Sequence, residues 1–415
     1  MDIAILDNRD PTWNGEIDRA GAALGAPDNP HLFPYHFLQV VLPRLGGKMV
    51  VVKNDGRRVG VGFLFPRGYR QEGGRPRRIY TLRYHAVEPL APSQRDHLLA
   101  HLQAHLHGAE VVYYDPAHAS CFSATGEAIG TINVGRPSRD EALGIRQLQQ
   151  AVWGSPPEFL YPADIHSREF GLGTSLVARV EERLAGFLFG FYKFGGPALP
   201  ADWHQRFGGD LRLESQTMAV LPEYRGMRIG HLLKRIQAEQ AWANGIGIIH
   251  WTADPLQFPN AALNFGLLRA VAFDFYPDLY PFRNNLNRVP ASRFGLTWLV
   301  GTERVRNVPR FGSRALILDL RHHPDVVRVN QGWEEVRLDV DAPLIAVEIP
   351  ADWTGLQERS LEAARRWRET TDRLLAHYVG RQPGQYVITG VGTDQDRCFL
   401  IGEQVSDALW QHLGT

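Results

Sequence analysis

Short apolar runs alternate with amphipathic stretches along this chain, and the apolar runs come in pairs. Residues 49–65, MVVVKNDGRRVGVGFLF, hold two runs rich in Val, Leu and Phe joined by Asn54-Asp55-Gly56, a hairpin signature. Residues 176–191, LVARVEERLAGFLFGF, repeat the arrangement around a charged turn. A third strand follows each hairpin, and each of these strands ends in Ala-Val, at 86–87 and 219–220. A Pro-containing loop, a helix carrying His-Leu-Leu and a closing apolar strand (111–115 and 246–254) complete both copies. Strand, strand, strand, helix, strand, written twice, predicts an α/β (α+β) fold in which helices flank twisted, mixed sheets.

Around the second copy the pattern adds a strand at 131–138 and an amphipathic helix at 139–154, with Leu143, Ile145, Leu148 and Val152 as its apolar positions. A further helix is expected at 260–272 and a strand at 294–300. After about residue 305 the pattern gives strands at 315–320 and 344–349, a long helix from about 356 to 378, and a closing hairpin, QYVITGV with RCFLIG. Three segments are expected: a first copy over 1–125, a second over 126–305, and an α/β extension over 306–415. The extension is too short to bury much by itself, so it is expected to dock on the second copy.

Composition narrows the function. A length of 415 residues suits two or three domains at roughly 150 residues each. Hydrophobic residues at 44% and charged residues at 22% are the usage of a globular protein, not of a disordered or fibrous one. Lys+Arg and Asp+Glu each total 45, so the formal net charge is zero and nothing calls for a nucleic-acid partner. No apolar run approaches the ~20 residues that cross a bilayer. The start, MDIAILDNRD, has acids where a secretory signal carries Lys or Arg. Cys121 and Cys398 are far apart and outside any CxxC spacing, which argues against a disulfide framework or a zinc ribbon. A cytoplasmic protein without a membrane partner or a metal is expected, with its oligomeric state open.

The sharpest local signal is Arg225-Gly226-Met227-Arg228-Ile229-Gly230-His231, between a strand and a helix. A loop entering a helix points unpaired N–H groups outward, where they and the helix dipole attract anions. Gly226 and Gly230 let a phosphate approach the backbone. Neither GxxxxGK[ST] nor GxGxxG is present, so this is not an ATP or a dinucleotide loop. In the first copy the same place reads Pro89-Leu90-Ala91-Pro92-Ser93-Gln94; it lacks glycine, and its two prolines lack N–H donors. The first copy is therefore expected to bind no coenzyme and to pack against the second.

AVLPEYRGMRIGHLL resembles the GCN5-related N-acetyltransferase (GNAT) superfamily, whose signature at this junction is Gln/Arg-x-x-Gly-x-Gly/Ala. Arg228 stands where the pattern has its first glycine. The resemblance implies that residues 225–231 hold the pyrophosphate of acetyl-CoA or another acyl-CoA. It also implies that the edge from Met218 through Ala219 to Val220 pairs with the pantetheine arm. A narrower resemblance, carried by WTADPLQFPNAALNFGLL, DLYPF, SRFGLTWLV and the later IAVEIPADW and RRWRETTDRLL, is to a bacterial subgroup that includes proteins linked to N-succinylation of amino acids. The activity implied is acyl-CoA-dependent N-acyl transfer, acetyl or succinyl, to the amine of a small molecule such as an amino acid. A superfamily Tyr acid has no counterpart in its usual place, where Phe265 stands.

Acyl transfer to an amine needs a held thioester, an unprotonated amine and a proton for the leaving thiolate. Glu214 precedes Met218 by four residues and so is expected on its face, either as the base or as half of a salt bridge. Tyr280 or Tyr276 is expected either to protonate the thiolate or to pack. The N–H of Val220 is a candidate donor to the thioester oxygen. Asn260 and Asn264, one helical turn apart, suit a phosphate, adenine or pantetheine amide, unless Asn260 is only an N-cap. His250 reads as a core histidine, and His97, His101 and His105 as a solvated helix face. The Arg-rich stretch 67–78 reads as an exposed loop able to contact an acidic acyl group. Arg228, Phe265 and the altered first copy also suit a competing description, a coenzyme-binding or protein-interaction module that has lost catalysis.

Overall fold

The computed structural model describes residues 1–72, 75–200, 203, 206, 207, 209–280, 283, 287–309 and 313–415. The fold is α/β, with helices set against mixed sheets. Two compact units divide the chain, Met1–Pro197 with Asp210–Leu233, and Ala198–Gly209 with Lys234–Thr415.

In the first unit, strands β1 (Asp2–Leu6), β2 (Lys48–Asn54), β3 (Arg57–Glu72), β4 (Arg75–Ala86) and β5 (Glu110–Tyr114) form one sheet in sequence order. Every neighbouring pair is antiparallel except β4 and β5. A parallel pair needs a crossover, and helix α2 (Pro92–His105) supplies it; helix α1 (Trp13–Ala23) comes earlier. Val50, Val52, Leu64, Leu82, Leu98 and Leu102 close the core between sheet and helix.

The same unit holds a second run of strands: β6 (Glu127–Ile129), β7 (Ile132–Gly135), β8 (Thr174–Val180), β9 (Arg183–Phe194) and β10 (Leu211–Val220), each antiparallel to the next. Helix α3 (Arg139–Trp153) starts at a capping box, in which the Ser138 hydroxyl accepts from the Glu141 N–H at 3.2 Å and Glu141 accepts from the Ser138 N–H at 2.7 Å. An aromatic layer ties the two sheets of this unit together, with Phe37 and Phe65 centred 5.1 and 5.8 Å from Phe191. Helix α4 (Ile229–Ala243) follows β10, and the unit boundary falls inside it, after Leu233.

In the second unit, β13 (Ala291–Leu299) lies between β11 (Ile248–Ala253) and β12 (Val271–Tyr280), antiparallel to both. Ala272 of β12 pairs with Ile388 of a later hairpin, Tyr386–Asp394 with Arg397–Gln404, so strands after residue 305 extend this sheet. Leu344–Ile349 pairs with the second strand of that hairpin.

Three expected elements take other forms. The stretch 260–272 is a short α-turn, Phe258–Ala261, that widens into a π-turn over Ala262–Leu267 and gives way to β12 at Val271. The 315–320 run pairs only at Leu318–Asp319, because Leu316 and Ile317 face outward at 61% and 43% exposure. The 356–378 helix is two, Trp353–Arg359 and α5 (Leu361–Tyr378), because Ser360 is extended and caps the second by accepting from the Ala363 N–H at 3.2 Å.

Candidate functional site

The site is built on the β10–loop–α4 junction of the first unit. The chain leaves β10 through a turn at Pro222–Tyr224 and passes two left-handed residues, Gly226 at φ +87° and Arg228 at φ +62°. The first i→i−4 bond of the helix runs from the Leu232 N–H to the Arg228 carbonyl at 3.1 Å. The N–H groups of Ile229 and Gly230 come before it and have no intrahelical acceptor. A Cβ added at Gly230 would meet the Met218 side chain, Cε at 3.4 Å and Sδ at 3.7 Å, so the helix start sits against Met218. Of the seven loop residues, Ile229 and His231 have buried side chains, while Arg225, Met227 and Arg228 face solvent. The two arginines place positive charge beside the helix start.

Arg228 occupies the position at which the GNAT pattern has glycine, and its backbone is in the region that glycine enters without penalty. The loop keeps the glycine conformation with another side chain on it. The first copy differs here. Its helix α2 begins with Pro92, which has no N–H, and Gln94 folds back to accept from the Ala91 N–H at 2.9 Å. That helix start lacks one donor at Pro92 and has Gln94 folded over its cap residue.

Strand β10 carries a bulge that sequence periodicity misses. Its register against β9 shifts between Ser215 and Thr217, so Glu214 pairs with Phe191 and Met218 with Leu188. Paired residues share a face, and Phe191 and Leu188 lie three apart on β9, hence on opposite faces. Glu214 therefore does not share the face of Met218, because the extra residue, Gln216, reverses the alternation between them. Gln216 itself donates through Nε2 to the Tyr161 hydroxyl at 2.9 Å. Beyond the bulge the Leu221 N–H donates to the Ala185 carbonyl at 2.9 Å, which in an extended strand turns the backbone groups of Val220 and Met218 to the other edge of β10. Ala219 points its backbone to β9 and its side chain inward.

Glu214 is buried and ion-paired, accepting from Lys193 Nζ at 2.9 Å with both side chains below 7% exposure. Of its two expected roles, the salt bridge is the arrangement present.

Other buried polar groups of this unit were not legible in the sequence. Arg83 is fully buried and donates to both oxygens of Asp164, at 2.9 and 3.0 Å from Nη2, while the Tyr114 hydroxyl donates to Asp164 at 3.1 Å. Burial works to raise the Asp164 carboxyl, but the guanidinium of Arg83 and the His31 ring outweigh it and hold it at about 2. His166, two residues on, meets the Ser175 hydroxyl through Nδ1 at 2.9 Å, and burial pushes it down to about 3, so it is a neutral imidazole. A partial signal exists in the Asp164-x-His166 pair within a Pro-rich, helix-poor stretch.

The remaining candidates belong to the second unit. The Tyr280 hydroxyl lies 3.0 Å from Thr252 Oγ1. Tyr276 packs its ring over Gly295, where a Cβ would come within 2.9 Å. Asn264 is buried and Asn260 exposed. Asn260 is not an N-cap, because the cap position belongs to Gln257. Phe265 is core, edge-on to Phe294. His250 is also core, with Nδ1 3.3 Å from the Leu296 carbonyl, and His97, His101 and His105 lie exposed on α2. The Arg-rich stretch 67–78, expected as a loop, lies in strands β3 and β4 except for residues 73 and 74, which, like 281 and 282 of DLYPF, lie outside the described residues. Among the described residues no helix is long and apolar enough to cross a membrane.

No family model and no curated protein match this sequence. Solved structures to which the chain is similar are GNAT-type acetyltransferases. A GNAT-family acetyltransferase from Streptococcus pneumoniae is 13% identical over 41% of this chain and 99% of its own, with a TM-score of 0.31. The diaminobutyrate acetyltransferase EctA from Paenibacillus lautus, solved with L-2,4-diaminobutyric acid and coenzyme A, is 15% identical over 41% of this chain and 97% of its own, with a TM-score of 0.31. The ribosomal-protein-S18-alanine N-acetyltransferase from Escherichia coli is 10% identical over 41% of this chain and 95% of its own, with a TM-score of 0.30.

Proposed function

We propose that this chain is an acyl-CoA-dependent N-acyltransferase that passes an acetyl or succinyl group directly to the amine of a small molecule, an amino acid being the favoured class. The observation that carries this reading is the β10–α4 junction: a left-handed Arg228 in the glycine position of the motif, followed by a helix start that does not open on proline as the first copy's does. Residues 225–231 would hold the pyrophosphate, and Met218 to Val220 the pantetheine. Asn260 and Asn264 are the second unit's candidates for coenzyme contacts.

In the reaction, the amine nitrogen attacks the thioester carbonyl carbon, and the carbonyl oxygen takes negative charge facing the Val220 N–H. The C–S bond then breaks, the thiolate takes the proton of the Tyr280 hydroxyl, and the amine's extra proton leaves to a base. Glu214 is assigned as that base, with Lys193 orienting the carboxylate. No cysteine lies in 126–305, which favours direct transfer over an acyl-enzyme. The three segments, 1–125, 126–305 and 306–415, are kept as the proposed division of labour, with coenzyme binding confined to the second.

One observation favours a second reading, a coenzyme-binding module without turnover: the candidate base is already neutralised by a buried lysine. Thiol release from acetyl-CoA and succinyl-CoA, measured with a panel of amino acids, separates the two. Release that depends on one amino acid supports the enzyme; binding without release of thiol from either thioester supports the module.

A further inference from the structure

The second unit contains a buried charge network that the proposed reaction has not yet used. Asp254, directly after β11, accepts from Arg368 Nη2 at 2.8 and 2.9 Å, and Arg293 Nη1 lies 3.5 Å from the same carboxylate. Arg368 belongs to α5, far along the chain in the segment after residue 305, and its side chain is 2% exposed. Its guanidinium also stacks on Trp353 at 5.0 Å. Arg293 continues the network, donating to the Asn287 side chain at 2.6 Å and standing 5.6 Å from the centre of the Tyr280 ring. Thr252, two residues before Asp254, completes the arrangement at 3.0 Å from the Tyr280 hydroxyl.

Burying three charges is costly, and a hydrophobic core of the same volume would serve stability at least as well. The network reaches Tyr280 through Arg293, with Thr252 at its hydroxyl. We propose that Thr252 and Arg293 position the Tyr280 hydroxyl for proton donation, and that Arg368 of the C-terminal segment anchors Arg293 through Asp254. This rests on the assignment of Tyr280 as the thiolate's proton donor. A threonine hydroxyl accepts from the neutral phenol and, by rotating, donates to the phenolate once the proton has left. A guanidinium near the ring attracts that phenolate. Thr252 and Arg293 therefore act on the step in which Tyr280 carries charge, not on coenzyme binding.

The test is steady-state thiol release from acetyl-CoA by the full chain, using the best acceptor from the amino-acid panel, for the wild type, Tyr280→Phe, Thr252→Val, Thr252→Ser and Arg368→Lys. A 19F spectrum of 3-fluorotyrosine-labelled protein supplies a readout that needs no turnover. Thr252→Val is expected to lower kcat about tenfold while leaving KM for acetyl-CoA unchanged, with Thr252→Ser restoring most of the rate. The Tyr280 resonance, identified by its loss in Tyr280→Phe, is expected to move in both Thr252→Val and Arg368→Lys. Tyr280→Phe turning over like the wild type would overturn the donor assignment and this proposal together. A slow Tyr280→Phe beside an unimpaired Thr252→Val would overturn the positioning alone. A Tyr280 resonance unmoved in Arg368→Lys would overturn the anchoring by the C-terminal segment.

Discussion

Lys193 and Glu214 face each other across adjacent strands at 2.9 Å, both buried, at the place where the sequence suggests a catalytic base. Removing one partner leaves an uncompensated buried charge, which costs about 3–5 kcal/mol. Lys193→Met is therefore expected to destabilise strongly, while the double variant Lys193→Met/Glu214→Leu recovers most of the loss; chemical denaturation reads both. A base role adds a second expectation. Glu214→Gln keeps a hydrogen-bonding partner for Lys193 and should lose turnover more than coenzyme affinity.

The left-handed residues of the loop give separable stability effects. Gly226→Ala is expected to cost about 1 kcal/mol, because φ +87° disfavours any side chain although nothing crowds the position. Arg228→Gly relieves the same conformational penalty, so its stability should stay within about 1 kcal/mol of the wild type. Affinity for coenzyme A should nonetheless fall, because a cation beside the helix start is removed. Denaturation curves paired with coenzyme titration would check both variants.

The first unit should be sensitive to acid. Asp164 is held at about 2, chiefly against burial by Arg83, and burial depresses His166 to about 3 and His36 to about 4. All three folded values lie below the ordinary ones of 3.8 and 6.5, so the unfolded chain binds more protons. Their stability contribution is complete above roughly pH 6.5 and is lost as pH falls through the folded values. Melting temperature followed from pH 8 to pH 3 should drop. Asp164→Asn should start lower and flatten the part of the decline below pH 4.

Asp372 has the opposite sign. Burial raises it to about 6 despite Arg368 nearby and a 2.6 Å hydrogen bond from Ser292. Its folded value exceeds the unfolded one, so its contribution is fully present below about pH 4 and is lost as pH rises through 6. Asp372→Asn, which still accepts from Ser292, is expected to be more stable than the wild type at pH 8, with the advantage gone below pH 4. Thermal melts at the two pH values decide it.

The repeated hairpins, the helix at 139–154 and the strand at Leu344–Ile349 were legible because apolar runs and amphipathic spacing mark them locally. The bulge at Gln216 left no such mark, and a one-residue slip there moved Glu214 to the other face of β10. Strand β12 was hidden because Pro277 and Asp278 interrupt its apolar pattern, and only pairing with β13 makes it a strand. The networks around Asp164 and Asp254 join residues 81 and 114 positions apart, a distance that no local pattern spans. Within the loop the motif was readable, whereas the left-handed backbone of Arg228 is a property of the fold.

The central claim is that acyl-CoA binds through its phosphates at the start of α4. Calorimetric titration of the full chain with coenzyme A, beside a Gly230→Glu variant of unchanged melting temperature, tests it directly. The helix accepts a Cβ at this position with only an ordinary contact to Met218, so a lost signal reports the added carboxylate in the cradle and not a misfolded helix. Binding by the wild type that Gly230→Glu loses is the predicted result. Equal binding by both proteins, or none by the wild type, would contradict it.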